Sequence, residues 1–311
     1  MTTWRFHSFE RFTLPFLEPQ KILQQTLTHK RGSYLLLQND DGQMIKGEVP
    51  CLPGFLPLDL DQVENQIQET LSQPFKLNQD WDWKRPFWGH DIQKPSSTQA
   101  LFAIESALFS LIATDKELSV KRTRLVTNTK ALSTISDLSQ ASFIKLKINR
   151  LPIDQEIEQV LTCIRKYPLL KWRLDANLSL TYDQLEKWWE ALKSVKKVVQ
   201  FFEEPNAQFK SFEEIPIARD ESLNETNIAE ENNYCVIKPT LHFGIVKTHQ
   251  FLQQFPKRII LSSTYETTVG LSPLFHLAQL SEMAPGFDTI STLPPSQKII
   301  LSADKIILKT V

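Results

Sequence analysis

The sequence predicts an α/β protein: a parallel β/α barrel preceded by a smaller α+β domain. Three observations carry this. First, short apolar, strand-like runs each end in a polar group, in the order Lys145 and Lys147, Asp175, Glu203, Asp220, Lys238, then Ser262 and Ser263. Second, the steps from Lys147 to Ser262 are 28, 28, 17, 18 and 24 residues. A β/α barrel of about 250 residues has about 31 residues per unit and carries function at its C-terminal strand ends, so the steps fit with two shortened units. Third, strand-like and helix-like segments alternate from Ser97 onward, and repeated β-then-α order implies parallel strands with right-handed crossovers.

A chain of 311 residues can bury a full core in one large domain or two unequal ones. A net charge of −1 gives no global attraction to nucleic acid or an anionic membrane. No apolar run approaches the roughly 18 residues of a membrane helix, and Met1-Thr2-Thr3-Trp4-Arg5 does not begin a secretory leader. The expected location is the cytoplasm, with Cys51, Cys163 and Cys235 as reduced thiols. Nothing in the sequence sets an oligomeric state, and a monomer suffices.

Residues 1–95 form the expected first domain. Trp4 to Phe12 alternates aromatic and polar residues, as a half-buried strand does. Ser33 to Gln38 is a second strand, Asn39-Asp40-Asp41-Gly42 a turn, and Ile45 to Val49 a third strand. A helix follows over about Leu60 to Leu71. The stretch Leu17–Arg31 is expected as an irregular link, with Ile22 to Leu27 partly helical. Pro50 to Pro57, with three prolines in eight residues, is a second loop. Trp81, Trp83 and Trp88 are expected as packing anchors at a domain junction.

The barrel is expected over residues 96–290. Leu101, Ile104, Leu108 and Leu111 make the apolar stripe of a first helix. The strands are read at Arg124 to Val126, Phe143 to Ile148, Trp172 to Ala176, Val198 to Phe202, Ile215 to Ala218, Tyr234 to Ile237 and Arg258 to Ser262. Helices lie between, notably over Asp154 to Lys166 and from Tyr182 to Leu192. The short step from Glu203 to Asp220 reduces the fourth helix to a turn. Residues 291–311 end in a hairpin, Lys298 to Leu301 and Lys305 to Leu308, expected to return to the first domain.

The strand-end residues define a chemistry. Three carboxylates, Asp175, Glu203 and Asp220, repel one another in a partly dry site and need a cation. An all-oxygen set suits Mg²⁺, with Mn²⁺ as a substitute, better than Zn²⁺. Glu203 and Glu204 point to opposite faces, and spacing does not choose between them. Lys145 and Lys147 alternate with Ile144, Leu146 and Ile148, so both ammonium groups share one strand face. A neighbouring cation lowers a lysine's pKa toward the range a general base needs. Lys238 comes from the opposite side of the barrel. Lysines on both sides of a metal-bound carboxylate point to proton abstraction α to that carboxylate. The expected partner is a small-molecule carboxylate, not nucleic acid or membrane. His242, His249 and His276 are expected in helices or loops without a catalytic role.

In this order, Lys145-Leu146-Lys147, Asp175-Ala176-Asn177, Glu203-Glu204-Pro205, Asp220-Glu221-Ser222 and Lys238-Pro239-Thr240 resemble the enolase superfamily. The finer strings Ser262 to Leu271, Pro285 to Thr289 and Gly47 to Phe55 resemble its dehydratases of menaquinone and phylloquinone biosynthesis. The resemblance spans nearly the whole chain. It implies a modified (β/α)7β TIM-like barrel with an N-terminal α+β capping domain. It implies Mg²⁺ on Asp175, Glu203 and Asp220, choosing Glu203 over Glu204. Lys147 would be the base and then the acid of a syn dehydration. Lys238 and Lys145 would stabilise charge, and Arg173, Asn177, Ser262, Ser263 and Gly286 would line the substrate pocket. Leu17–Arg31 and Cys51–Leu56 would be the loops that close over it. Tyr265 and Phe287, where the family has aliphatic residues, are expected to reshape that pocket. The competing reading keeps the fold and makes Lys147 and Lys238 the paired bases of a racemase or dipeptide epimerase. A non-catalytic barrel would be expected to lose a ligand or a lysine, and none is missing.

Overall fold

The computed structural model describes residues 1–309 apart from 23–24, 79–81, 83, 85–91, 113–116, 134, 136–137, 209–213 and 231–232. Trp81, Trp83 and Trp88 lie outside the described residues. The chain runs β1 (Thr2–Ile22), β2 (Gln25–Asn39), β3 (Met44–Pro50), α1 (Leu60–Thr70), β4 (Phe75–Leu77), α2 (Thr98–Phe109), β5 (Glu117–Lys121) and β6 (Thr123–Val126). It continues β7 (Phe143–Lys147), α3 (Ile153–Lys166), β8 (Lys171–Asp175), α4 (Tyr182–Leu192), β9 (Val199–Glu203), β10 (Ile217–Arg219), α5 (Glu225–Glu230) and β11 (Tyr234–Ile237). It closes with α6 (Gly244–Gln254), β12 (Ile259–Leu261), α7 (Thr268–Ala278), β13 (Ile299–Leu301) and β14 (Lys305–Lys309).

Strands β6 to β12 form one parallel sheet in sequential order, curled as a barrel wall. All seven barrel strands read from the sequence are present. Their outward faces carry Ile144, Leu146, Trp172, Leu174 and Phe202, packed under α3 and α4 with Val160, Ile164, Leu185 and Trp188. Burying Trp172 or Trp188 whole contributes about 3 kcal/mol each. Thr181 starts α4 with a capping box: its side chain takes the Gln184 N–H, and Gln184 returns the bond. After β12 the eighth strand shrinks to a parallel bridge between Ser262 and Gly286. Asp288 then reaches β6, where it accepts the Leu125 N–H at 2.9 Å and pairs with Arg122 at 2.6 Å. A side chain thus joins the last turn of the barrel to its first strand.

The first sheet is antiparallel, in the order β3-β2-β1-β4. Its hairpin β1–β2 is longer than the sequence suggested. The described residues of the stretch Leu17–Arg31, expected as a link, belong to β1 and β2, with Gln20 paired to Leu27, Lys21 to Thr26 and Ile22 to Gln25. Ile22 and Gln25 to Leu27 are therefore strand where partial helix was expected. Cross-strand pairing overrides the weak local helix preference of this stretch.

Helix α2 departs from a one-sided stripe: every residue from Gln99 to Phe109 is buried. It lies between the first sheet and the barrel helices α6 and α7. Gly47 permits the close packing, because a Cβ there would lie 2.3 Å from the Ala103 carbonyl oxygen. The terminal hairpin also departs from expectation. It adds β14 to β5, through pairs from Lys305–Lys121 to Lys309–Glu117, and not to the first sheet. Ile306, Leu308 and Val120 bury against the barrel-side core, which sets this choice.

Candidate active site

The register of the sheet builds one side of the mouth. Lys147 pairs with Asp175, and Asp175 with Glu203, so three polar residues stand in one row across β7, β8 and β9. The burial of β7 alternates, placing Ile144 and Leu146 in the outer core and Lys145 and Lys147 on the inner face. On its other side Glu203 pairs with Ala218 of β10, and Asp220 follows two residues on.

Ammonium groups stand between the carboxylates. The Lys145 Nζ lies 3.0 Å from Asp175 Oδ2 and also bonds Glu203 Oε1. Lys238 Nζ bonds Asp220 Oδ1. Burial alone would lower the Lys145 pKa, but Asp175, Glu203 and Asp220 outweigh it and raise it. Lys147 is different. Burial lowers its pKa, Asp175 opposes this, and the charge of Lys145 adds to the lowering. Burial, more than the neighbouring cation expected from the sequence, is the main cause. Glu203 is pushed up to about 8 by burial, with Asp175 and Asp220 adding and Lys145 opposing. For Asp220 burial acts upward too, but Lys238 and Lys145 draw it down to about 2.

The opposite side of the mouth is built from loops. Ser262 and Ser263 follow β12, and their hydroxyls donate to the Gly286 carbonyl at 3.3 and 3.4 Å. Ser263 also bonds the Thr289 hydroxyl. Gly286 lies so close that a Cβ would meet Ser262 Oγ at 3.2 Å. Asn177, beyond β8, accepts from Lys147 Nζ at 3.0 Å. Of these, Asn177 touches the row directly, through Lys147. Arg173 stands apart: it is buried a layer lower, between the Phe143 and Phe201 rings, and donates to Gln200 at 2.8 Å and Thr123 at 3.3 Å. Phe287 is also elsewhere than expected. It is fully buried against Phe275, with ring centroids 5.4 Å apart, and faces the outer core.

The first sheet roofs the mouth. Ile22 and Leu27 of the long hairpin pack with Leu52, Phe55 and Leu56, and these meet Leu241 and Tyr265 of the barrel loops. The Phe55 ring lies 5.5 Å from Lys238 Nζ. Tyr265 holds a left-handed backbone, φ 64°, and turns its ring edge-on to Phe16 at 5.4 Å.

Sequence reading missed the residues that hold this machinery. Glu204, the carboxylate not chosen, is fully buried and accepts the N–H groups of Asp220 at 2.7 Å and Ser222 at 3.0 Å. It fixes the loop that presents Asp220. His242 clamps the start of the next loop: its Nδ1 accepts the Lys238 backbone N–H at 3.1 Å, while its backbone N–H donates to the Lys238 carbonyl at 2.9 Å. Burial and then Lys238 lower its pKa to about 4. The paired acids in Glu203-Glu204 and Asp220-Glu221 were the available signal, since one of each pair must face away from the row.

Among the described residues, no three of His, Cys, Asp and Glu already form a closed ligand set, because lysines stand between the acids. The donors nevertheless suit a hard divalent cation. Three oxygen-donor side chains, Asp175, Glu203 and Asp220, stand at the ends of neighbouring strands of one mouth.

No family model matches the sequence. Curated proteins do. The o-succinylbenzoate synthase of Vibrio cholerae is 26% identical over 309 residues, covering 92% of this chain and 90% of that protein. That of Haemophilus influenzae is 25% identical over 302 residues, covering 91% and 89%. Among solved structures, the o-succinylbenzoate synthase of Thermosynechococcus elongatus, complexed with Mg in the active site, superposes with a TM-score of 0.75 at 21% identity, covering 94% of each chain. The L-Ala-D/L-Glu epimerase of Bacillus subtilis superposes with a TM-score of 0.77 at 17% identity, covering 99% of this chain and 96% of that one. The chain thus shares the fold of these structures, a TIM-like barrel with a capping domain, and over nine-tenths of its length its sequence is similar to the o-succinylbenzoate synthases.

Proposed function

We propose that the chain is an o-succinylbenzoate synthase, a carbon–oxygen lyase. It converts 2-succinyl-6-hydroxy-2,4-cyclohexadiene-1-carboxylate to 2-succinylbenzoate and water, in menaquinone or phylloquinone biosynthesis. The observation that carries this reading is Lys147: a strand-end lysine of lowered pKa, in register with Asp175 and Glu203. Burial that disfavours its ammonium form makes such a lysine a better proton acceptor than a free one, as a general base needs.

In this reading the neutral Lys147 amine takes the α-proton of the ring carboxylate. The C–H electrons pass into the carboxylate as an enediolate. Lys147, now protonated, gives that proton to the departing hydroxyl on the same face; the C–O bond breaks, water leaves and the ring becomes aromatic. Lys238 faces the ring from the other side and offsets the negative charge, as a cation over a π-system does. Lys145 holds the charge of the substrate carboxylate and presses on the pKa of Lys147. Asp175, Glu203 and Asp220 would hold Mg²⁺, or Mn²⁺ in its place, which when bound supplies positive charge where negative charge grows on the carboxylate. Asn177, Ser262, Ser263 and Gly286 border the pocket. Arg173 lends positive charge from below. The roof of Ile22, Leu27, Leu52, Phe55 and Leu56 excludes water. The capping unit is taken as residues 1–95 and the barrel as 96–290. Among the described residues no helix is long and apolar enough to cross a membrane, which accords with work in the cytoplasm on a small carboxylate.

The test is ultraviolet absorbance of protein, substrate and Mg²⁺. The diene band is expected to fall with metal present, and Lys147→Ala to slow this by about 10⁴-fold. A folded wild type that leaves the band unchanged would sink the synthase. A second reading, epimerisation of an N-acylamino acid or dipeptide, is favoured by the fold match to the L-Ala-D/L-Glu epimerase and by Lys238 standing opposite Lys147. Deuterium incorporation at the α-carbon of N-succinylamino acids would reveal it.

A further inference from the structure

Asn177 is bonded at both ends of its amide. Its Oδ1 accepts from Lys147 Nζ at 3.0 Å, and its Nδ2 donates to Glu221 Oε1 at 3.1 Å. These two bonds set the orientation of the amide: the Lys147 N–H donates to the carbonyl oxygen, and the Glu221 carboxylate oxygen accepts from the NH₂. Turned over, the amide would set oxygen against the Glu221 oxygen and would offer its NH₂ to Lys147, where it would occupy the lone pair of the neutral amine.

The backbone beneath is already held. Asn177 and Leu178 both occupy the left-handed region, φ 45° and 64°. That conformation is disfavoured for residues with a Cβ, least so for Asn. It is held by bonds from Asn177 N to Asp175 Oδ1 at 3.1 Å and from Leu178 N to the Glu204 carbonyl at 2.7 Å. The main chain therefore fixes where Asn177 stands, while the rotation of its amide is left to side chains. Glu221 is well placed to decide it. Its flanking N–H groups, those of Asp220 and Ser222, are pinned by Glu204, so its carboxylate projects from a fixed loop.

We propose that Glu221 is a positioning residue: it holds the Asn177 amide with its oxygen toward Lys147, and thereby aims the Lys147 nitrogen at the substrate. This rests on the synthase reading for its consequence, but not for its geometry. An amine that donates one N–H to Asn177 has its lone pair directed away from that bond. Without Glu221 the amide turns freely and for part of the time presents its NH₂ to Lys147, where it bonds the lone pair the base needs. Asn177 then serves the base as well as bordering the pocket.

The experiment compares Glu221→Ala and Glu221→Gln with wild type, at saturating Mg²⁺ and with 2-succinyl-6-hydroxy-2,4-cyclohexadiene-1-carboxylate. Glu221→Ala is expected to lower kcat roughly tenfold or more, about 1.4 kcal/mol. KM and the Mg²⁺ concentration for half activation should stay within about twofold. Glu221→Gln, whose carbonyl accepts the same bond, should recover most of kcat. An unchanged kcat in Glu221→Ala overturns the proposal. So does a matching shift in Mg²⁺ requirement, which would mean action through Asp220, or equal loss in both variants. A second readout needs no turnover. The Asn177 side-chain NH₂ signals, identified by their absence in Asn177→Asp, should exchange slowly in wild type and rapidly in Glu221→Ala. Unchanged signals overturn the relay even if wild type proves inactive on this substrate, which would defeat the synthase reading alone.

Discussion

Two regions of this molecule bury carboxylates, and they satisfy them in opposite ways. At the barrel mouth, Asp175, Glu203 and Asp220 face lysine ammonium groups. At the junction of the first sheet with the barrel, Glu48, Glu105 and Glu266 face backbone N–H groups and hydroxyls. Glu48 on β3 accepts the Thr267 N–H and hydroxyl, both at 2.7 Å, and the Gly270 N–H at 3.0 Å, while Lys30 pairs with it at 3.1 Å. It thereby caps α7 from across the junction. Glu105 on α2 caps α6 in the same way, through Ile245 and Val246. Glu266 binds the Thr240 hydroxyl and the Thr264 N–H and hydroxyl.

The difference separates structure from chemistry. A carboxylate bonded to helix N–H groups is committed, since removing it leaves orphaned donors. A carboxylate held by a flexible lysine can exchange that partner for a cation or a substrate charge. At the mouth the carboxylates also bear on one another: burial pushes Glu203 up to about 8 with Asp175 and Asp220 adding, whereas at the junction burial alone pushes Glu105 up to about 8.

The largest expected effect breaks the mouth alone. Glu203→Gln should cut the dehydration rate by about 10³-fold. Its urea midpoint at pH 8 and above should equal or exceed that of wild type, because a repelling charge is gone. A clear loss of stability would place Glu203 with the junction carboxylates instead. Glu48→Ala should do the reverse. It leaves Lys30 buried without its partner and the Thr267 and Gly270 N–H groups at the start of α7 unpaired, at about 3–5 kcal/mol in urea unfolding. Near-wild-type stability would break the comparison.

The third expectation concerns pH, and its sign follows from Glu105. Burial pushes its pKa up to about 8, against the pull of the Ile245 and Val246 N–H groups. The folded state thus holds a proton that the unfolded chain releases near pH 4.5. Its contribution to stability is fully present below that pH and is lost as pH rises through about 8. Glu105→Gln should remove up to about 1.4 kcal/mol per pH unit of slope in that window. Urea midpoints between pH 5 and pH 8 that run parallel in the two proteins would sink this, and would show the Glu105 carboxylate to be as well served as Glu48.

The same contrast explains what could be read before the fold was known. The mouth residues were legible because a strand has period two and its C-terminal end is one place in a barrel. Phe143 to Lys147 could then be sorted into an inner and an outer face from the letters alone. The junction was not legible. Glu48 and Thr267 are 219 positions apart, and nothing local to either names the other. Helix α2 showed the same limit. Its apolar stripe was visible, but its burial on all sides depends on a sheet and two helices meeting it.

What the sequence determined by itself was the order of β and α segments and the polar residue ending each strand, since both rest on local periodicity. The tertiary structure decided the rest. Cross-strand pairing made Ile22 and Gln25 strand, and a shared apolar core drew the C-terminal hairpin to β5. Packing turned Phe287 to the outer core, and a hydrogen bond from one loop to the next gave Glu204 to the Asp220 loop. Each of these was a choice between partners distant in sequence. It was settled by which contact removed apolar surface from water, or left no buried donor unpaired.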